Sequence, residues 1–189
     1  MIVIVEKDTT YFAYPYSCIN TKSDLPINDW LNEDNLAFWK VVGKENCILG
    51  GWSTMRINDV VRYEDELLND CEISLKDLVE KLQPRITEIL ENAGEWNGEK
   101  DYWENTFIIA QNGKAFEVDF GYVREIDKFA VFERYQNLAM AVLDDTQNMP
   151  VMDRLHKIGK LVEEINAIPM FPMLVMDTKT QKLQVINEK

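Results

Sequence analysis

Apolar residues open the chain as a run, Ile2-Val3-Ile4-Val5. The run breaks at Glu6-Lys7-Asp8-Thr9 and returns as Tyr11-Phe12-Ala13-Tyr14. β-Branched and aromatic residues on both sides of a short polar turn predict a hairpin. A strand that starts at residue 1 would put the terminus inside the fold. Ser17 to Asn35, with Pro26 and several Asn and Asp, reads as an irregular connection. Leu36 to Val42 and Cys47 to Leu49 then form a second strand pair around Gly43-Lys44-Glu45-Asn46.

The period changes after Gly50-Gly51-Trp52. Ser53 or Thr54 can cap a helix in which Ile57, Val60, Val61, Leu67 and Leu68 share a face. A second helix starts at Ser74, with Leu75, Leu78, Val79, Leu82, Ile86, Ile89 and Leu90 inward and a kink expected at Pro84. Strands return as Thr106–Ala110 and Ala115–Phe120 around Asn112-Gly113, the strongest short hairpin signal in the chain. Tyr122–Ile126 and Phe129–Phe132 follow. Tyr135, Leu138, Ala139, Val142 and Leu143 mark a third helix. A fourth is expected from an Asn148 cap, with Val151, Leu155, Ile158, Val162 and Ile165 inward. Phe171–Met176 and Leu183–Ile186 close the chain as a hairpin.

The predicted order is ββββ-αα-ββββ-αα-ββ. Hairpin-linked strands with paired helices indicate an α+β protein, and two helix pairs need two sheet faces to cover. The economical arrangement is a four-layer α-β-β-α sandwich of two antiparallel sheets between two helix pairs. At 189 residues it reads as a single domain, 1–189.

Composition narrows the function classes. The net charge is −13, and from Glu64 to Glu104 thirteen Asp or Glu face four Lys or Arg. Such a chain lacks the basic footprint for nucleic acid or an anionic membrane. The acidic stretch reads as a solvated surface or as a docking face for a basic protein partner. Three separated cysteines, Cys18, Cys47 and Cys71, with no export signal, read as reduced thiols in a cytoplasmic protein.

Candidate chemistry is thin. His156 is the only histidine and lies one position off an apolar helical stripe, so a surface role is expected. Cysteine and histidine spacing offers no zinc site, and Asp144-Asp145 reads as solvated surface. No dinucleotide or Walker glycine pattern occurs, so no cofactor or metal is expected. Gly50-Gly51 before a helix can hold an anion or can simply serve packing. Trp39 and Trp52 flank core strands and are expected buried or half-buried. Trp30, Trp96 and Trp103 sit in polar loops, where they serve contact or local packing.

This element order, with a first strand beginning at residue 1, resembles the N-terminal-nucleophile hydrolases. The similarity is greatest to proteasome β-type subunits and the bacterial proteasome-like peptidase. Ile2-Val3-Ile4-Val5 with Lys7-Asp8 looks like the family's opening strand and turn. Ile48-Leu49-Gly50-Gly51 looks like the stretch that supplies its oxyanion glycine, matched by Gly50. Phe116-Glu117-Val118-Asp119 with Gly121 looks like a further family strand. The resemblance implies self-association in rings and an N-terminal Thr, Ser or Cys whose α-amine is the base.

The catalytic pattern departs from that family. Residue 1 is Met and residue 2 is Ile, and Tyr14-Pro15-Tyr16-Ser17 replaces the Gly-Asp that ends the second strand. Counting back from Gly50 to the supporting lysine lands on Leu36, with Lys40 the nearest lysine. Phe132-Glu133-Arg134 stands where the family has Gly-Ser-Gly. No catalytic residue is therefore assigned, and the expectation is a non-catalytic, self-assembling or protein-binding member. The alternative is an active amide hydrolase whose nucleophile is revealed by processing. Cleavage before Cys18 would expose Cys18-Ile19-Asn20, whereas Thr9 and Thr10 lie in or beside the turn. An acidic adaptor for a basic partner is the third reading.

Overall fold

A computed structural model describes residues 1–15, 36–52, 55–64, 66–96 and 106–188. The opening hairpin is β1 (Ile2–Glu6) and β2 (Thr9–Pro15), in register Ile4↔Tyr11. β3 (Phe38–Lys40) and β4 (Cys47–Trp52) follow, the former shorter than the expected Leu36–Val42. Next comes α1 (Met55–Arg62); its expected caps, Ser53 and Thr54, lie outside the described residues.

Leu75–Asp77, Leu78–Leu82 and Gln83–Asn92 run on as one helix, α2, whose middle is wound as a π turn just before Pro84. Ser74 caps it by accepting from the Asp77 amide at 3.3 Å. The fully buried positions are Leu78, Leu82, Ile86 and Leu90, each four residues apart. The wider turn shifts the apolar stripe from the 3.6-residue phase. Leu75 and Val79, expected inward, are consequently half-exposed at 50% and 43%.

β5 (Thr106–Gln111), β6 (Lys114–Val118), β7 (Val123–Glu125) and β8 (Phe129–Val131) form the next strands. α3 (Gln136–Asp145) and α4 (Val151–Asn166) pack together, and β9 (Met173–Asp177) and β10 (Leu183–Ile186) end the described chain. Pro150, not Asn148, stands at the cap of α4, because extended backbone at Pro150 delays the first helical residue to Val151. Ile165, also expected inward, is exposed in the last turn of α4; the chain reverses at Ala167 and Met170 enters the core in its place.

All strand pairs are antiparallel, in two five-stranded sheets of order β10-β9-β2-β1-β8 and β3-β4-β5-β6-β7. Three apolar clusters define the layers. Leu49, Phe107, Ile109 and Phe116 pack under α1 and α2, and Ile2, Ile4, Ala13 and Val175 pack under α3 and α4. Met1, Val3 and Phe12 meet Phe38, Ile48 and Ile108 between the sheets. The architecture is an α+β sandwich with a helix pair outside each sheet. The opening run is continuously apolar because β1 is buried on both faces: Ile2 and Ile4 point to helices, Met1 and Val3 to the other sheet. Among the described residues, no helix is long and apolar enough to cross a membrane.

Candidate functional site

At the head of β1, Met1 sits between the sheets. Its side chain is fully buried. Gly50 faces it from β4: a methyl group added there would lie 3.0 Å from the Met1 Sδ and 3.1 Å from the Phe12 ring. Leu36 and Phe38 belong to the same cluster. This volume is packed with hydrocarbon and a thioether, which contributes about 1.5–3 kcal/mol for the methionine alone and supplies no nucleophile.

The α-amine of Met1 is engaged separately. It donates to the Phe132 carbonyl at 3.3 Å and to Glu133 Oε1 at 3.2 Å, while the Met1 carbonyl accepts from the Phe132 amide at 2.9 Å. Glu133 is mostly buried, at 17% exposure, so the pair is only weakly screened by water. An ammonium donating to a carboxylate has no lone pair to offer as a base. Glu133, which the sequence marked only as part of Phe132-Glu133-Arg134, is thus the residue that engages the amine. Its signal was an acidic side chain between β8, the strand that pairs with β1, and the third helix.

Leu36, the position counted for the supporting lysine, is 1% exposed in the apolar cluster. Lys40 pairs with Ile48, two residues from Gly50, and is exposed. It lines a different, small cavity of about 150 Å³ with Gly43, Lys44 and Arg62. Neither brings an amine to Met1. Gly51 is explained by packing: buried Asn58 on α1 donates to its carbonyl at 3.1 Å, and a Cβ on Gly51 would stand 1.8 Å from Asn58 Oδ1.

At Glu133 the sandwich opens into a cleft of about 1030 Å³. It is lined by Arg124 and Glu125 of β7, the Ile126–Lys128 turn, β8, and Trp52, Glu133 and Arg134. Glu117 reaches it from β6, is 3% exposed, and is held by Arg124 Nη2 at 2.5 Å and by the Tyr122 hydroxyl. Burial, then the hydrogen bond to Glu117, pushes the Tyr122 phenol up to about 12. Among the described residues, Trp52 and Tyr122 are the exposed aromatics of this region, at 44% and 46%.

Other candidates lie apart from this position. Cys18, Trp30 and Trp103 fall outside the described residues. Cys47 is fully buried in the α1–α2 core, where desolvation pushes its thiol up to about 12. Burial likewise raises the Cys71 thiol. His156 lies on α4 against Phe171, with ring centroids 5.2 Å apart, and its Nε2 is 3.2 Å from the Glu188 carbonyl. Trp96 packs on Phe120 at 5.1 Å, a local contact. Asp144 and Asp145 are exposed, and among the described residues no cluster of three or more metal-ligating side chains forms.

Two solved structures share this architecture over nearly its whole length. One is titled "Thiobacillus denitrificans BPH in complex with Epoxomicin", with a TM-score of 0.62, 14% identity, and coverage of 93% of this chain and 96% of that one. The other is Anbu, an ancestral beta-subunit from Yersinia bercovieri, with a TM-score of 0.61, 9% identity, and coverage of 100% and 86%. Both have the N-terminal-nucleophile hydrolase fold.

This chain has that fold too.

No family model and no curated protein matches the sequence. At such low identity the shared fold carries no activity with it. Within the N-terminal-nucleophile hydrolase fold, the head of β1 holds a buried methionine with its amine paired to Glu133.

Proposed function

We propose that this chain is a proteasome-like protein without peptidase activity, serving in self-assembly or protein binding. The observation that carries the reading is Met1: its side chain fills the space against Gly50 and Phe12, and its amine is spent on Glu133 and the Phe132 carbonyl. Acyl transfer at an N-terminal residue needs a hydroxyl or thiol there and a free amine to deprotonate it. The packing supports neither.

Activation by cleavage before Cys18 fits the packing poorly. The cut would remove β1 and β2, which lie side by side within their sheet, and would take Met1, Val3 and Phe12 out of the inter-sheet core. The likeness to a beta-subunit supports self-association, and the free thiols of Cys47 and Cys71 support a cytoplasmic setting. A basic partner on the acidic Glu64–Glu104 stretch remains part of the protein-binding reading.

The test uses epoxomicin, the compound held by the BPH structure. The full-length chain, incubated with epoxomicin and with fluorogenic peptide amides, is expected to show no adduct mass and no turnover above a heat-unfolded control. A stoichiometric adduct, mapped to any residue, would overturn the proposal.

A further inference from the structure

β7 ends the second sheet, and its outer edge is open. Arg124 pairs with Glu117 of β6. On either side of it the Tyr122 carbonyl accepts from the Asp119 amide, and the Ile126 amide donates to the Ala115 carbonyl. These three residues turn their backbone groups toward β6. By the alternation of an antiparallel ladder, the N–H and C=O of Val123 and Glu125 point outward, in the plane of the sheet. Among the described residues those groups have no hydrogen-bond partner. Such an edge accepts a further strand of the same sheet.

Helix α2 overhangs that edge with apolar side chains. Its first turn lies against β7, and its two flanks differ. On one flank Lys81 and Arg85 reach the Asp70 and Leu67 carbonyls, on the connection from α1. On the other, Gln83 donates to the Phe120 carbonyl at 2.7 Å, between β6 and β7. Val79 and Gln83 each follow a buried leucine, Leu78 and Leu82, by one position, and Leu75 stands four before Val79. Leu75 and Val79 therefore lie on the β7 flank, and both are half-exposed. A strand added ~4.8 Å beyond β7 would run beneath them and cover them. Val123 faces the same side, packed against the α1–α2 core.

The edge is complementary to itself in one register. Antiparallel pairing centred on Arg124 or on Glu125 would set like charges directly opposite each other, which destabilises a ladder. Centred on Val123, it sets valine against valine as a hydrogen-bonded pair. Arg124 then stands opposite the partner's Tyr122, the cation–aromatic pairing that it already makes with its own Tyr122 at 6.0 Å. Glu125 stands opposite Gly121, which has nothing within 4 Å of where a side chain would begin. The same two-fold axis brings Leu75 and Val79 of both copies over the joined strands, so that each pair covers the other.

We propose that two copies of this chain join edge to edge, β7 against β7 about a two-fold axis at Val123, with Leu75 and Val79 of both packed over the seam. The proposal rests on the self-assembly reading above and names its contact surface.

The test combines amide hydrogen exchange and sedimentation velocity on the full-length protein. Exchange at the Val123 and Glu125 amides is expected to slow by about tenfold or more as the protein is concentrated. The surface variant Leu75→Lys/Val79→Lys, which sets like charges across the seam, is expected to weaken association by about tenfold or more. Exchange independent of concentration in a chain that does assemble would overturn the β7 seam and leave self-assembly standing. Undiminished association of the double variant would do the same. A chain that sediments as a monomer at every concentration would overturn both.

Discussion

Replacing Gly51 with alanine isolates the reason for the glycine pair ahead of α1. The added Cβ would stand 1.8 Å from Asn58 Oδ1, against an ordinary contact of 3.4 Å or more, so about 1.6 Å must be found in a closed core. Asn58 is 1% exposed and cannot swing into solvent without leaving its bond to the Gly51 carbonyl. Overpacking costs ~1–3 kcal/mol, and leaving a buried amide and carbonyl unpaired adds ~1–3 kcal/mol. The Gly51→Ala loss should therefore reach ~3–5 kcal/mol. Asn58→Ala alone removes the bond but also an Oδ1 that has no partner, so a smaller loss of ~1–2 kcal/mol is expected. In the double variant the new methyl occupies the space left by the amide. Its cost should fall back to ~1–2 kcal/mol, a coupling of about 4 kcal/mol. Urea unfolding followed by tryptophan fluorescence reads this directly. With a slope of ~2 kcal/mol/M, the single Gly51→Ala variant and the double variant should differ by about 1.2 M in midpoint. Additive losses would refute the contact and reopen an anion-binding reason for the glycines.

Three further outcomes follow from the same geometry. Glu117→Ala should destabilise by ~1–2 kcal/mol, a buried-pair loss reduced because Arg124 is largely exposed and can turn to water; no change in urea midpoint would contradict the pinning of β7. Cys47, with its thiol near 12, has only about one part in ten thousand as thiolate at pH 8, so iodoacetamide mapping of the native protein should find it unlabelled until the chain unfolds; prompt labelling would contradict its burial. Asp77 is held below the usual carboxylate range, first by the Glu72 amide and then by Lys81. Its contribution is present above the unfolded-state value near 4 and is lost as pH falls through the lower folded-state value. Asp77→Asn should therefore flatten stability against pH below about 4, and an unchanged acid limb would contradict this.

Hairpins and layers were legible because local chemistry decides them. Asn112-Gly113 requires left-handed backbone at both positions, and φ is 49° and 77° there. The double-sided burial of β1 was readable as a continuous apolar run, Ile2 to Val5. The phase of α2 was not, because a π turn at Leu78–Leu82 leaves no mark in a stripe read at 3.6 residues per turn. That Met1 and Ile2 carry no hydroxyl or thiol was plain. The partner of the Met1 amine was not, since Met1 and Glu133 are 132 positions apart in sequence and meet through the β1–β8 pairing. The cleft was equally hidden: it depends on two edge strands from different sheets, which no local pattern places together.

Native mass spectrometry of the full-length, unmodified protein tests the central claim most directly, because it reads subunit mass and assembly mass in one spectrum. A subunit that keeps Met1, within an assembly of several copies, is the predicted result. A subunit trimmed to begin at Cys18, or at any Thr, Ser or other Cys, would contradict it and return the chain to N-terminal-nucleophile catalysis.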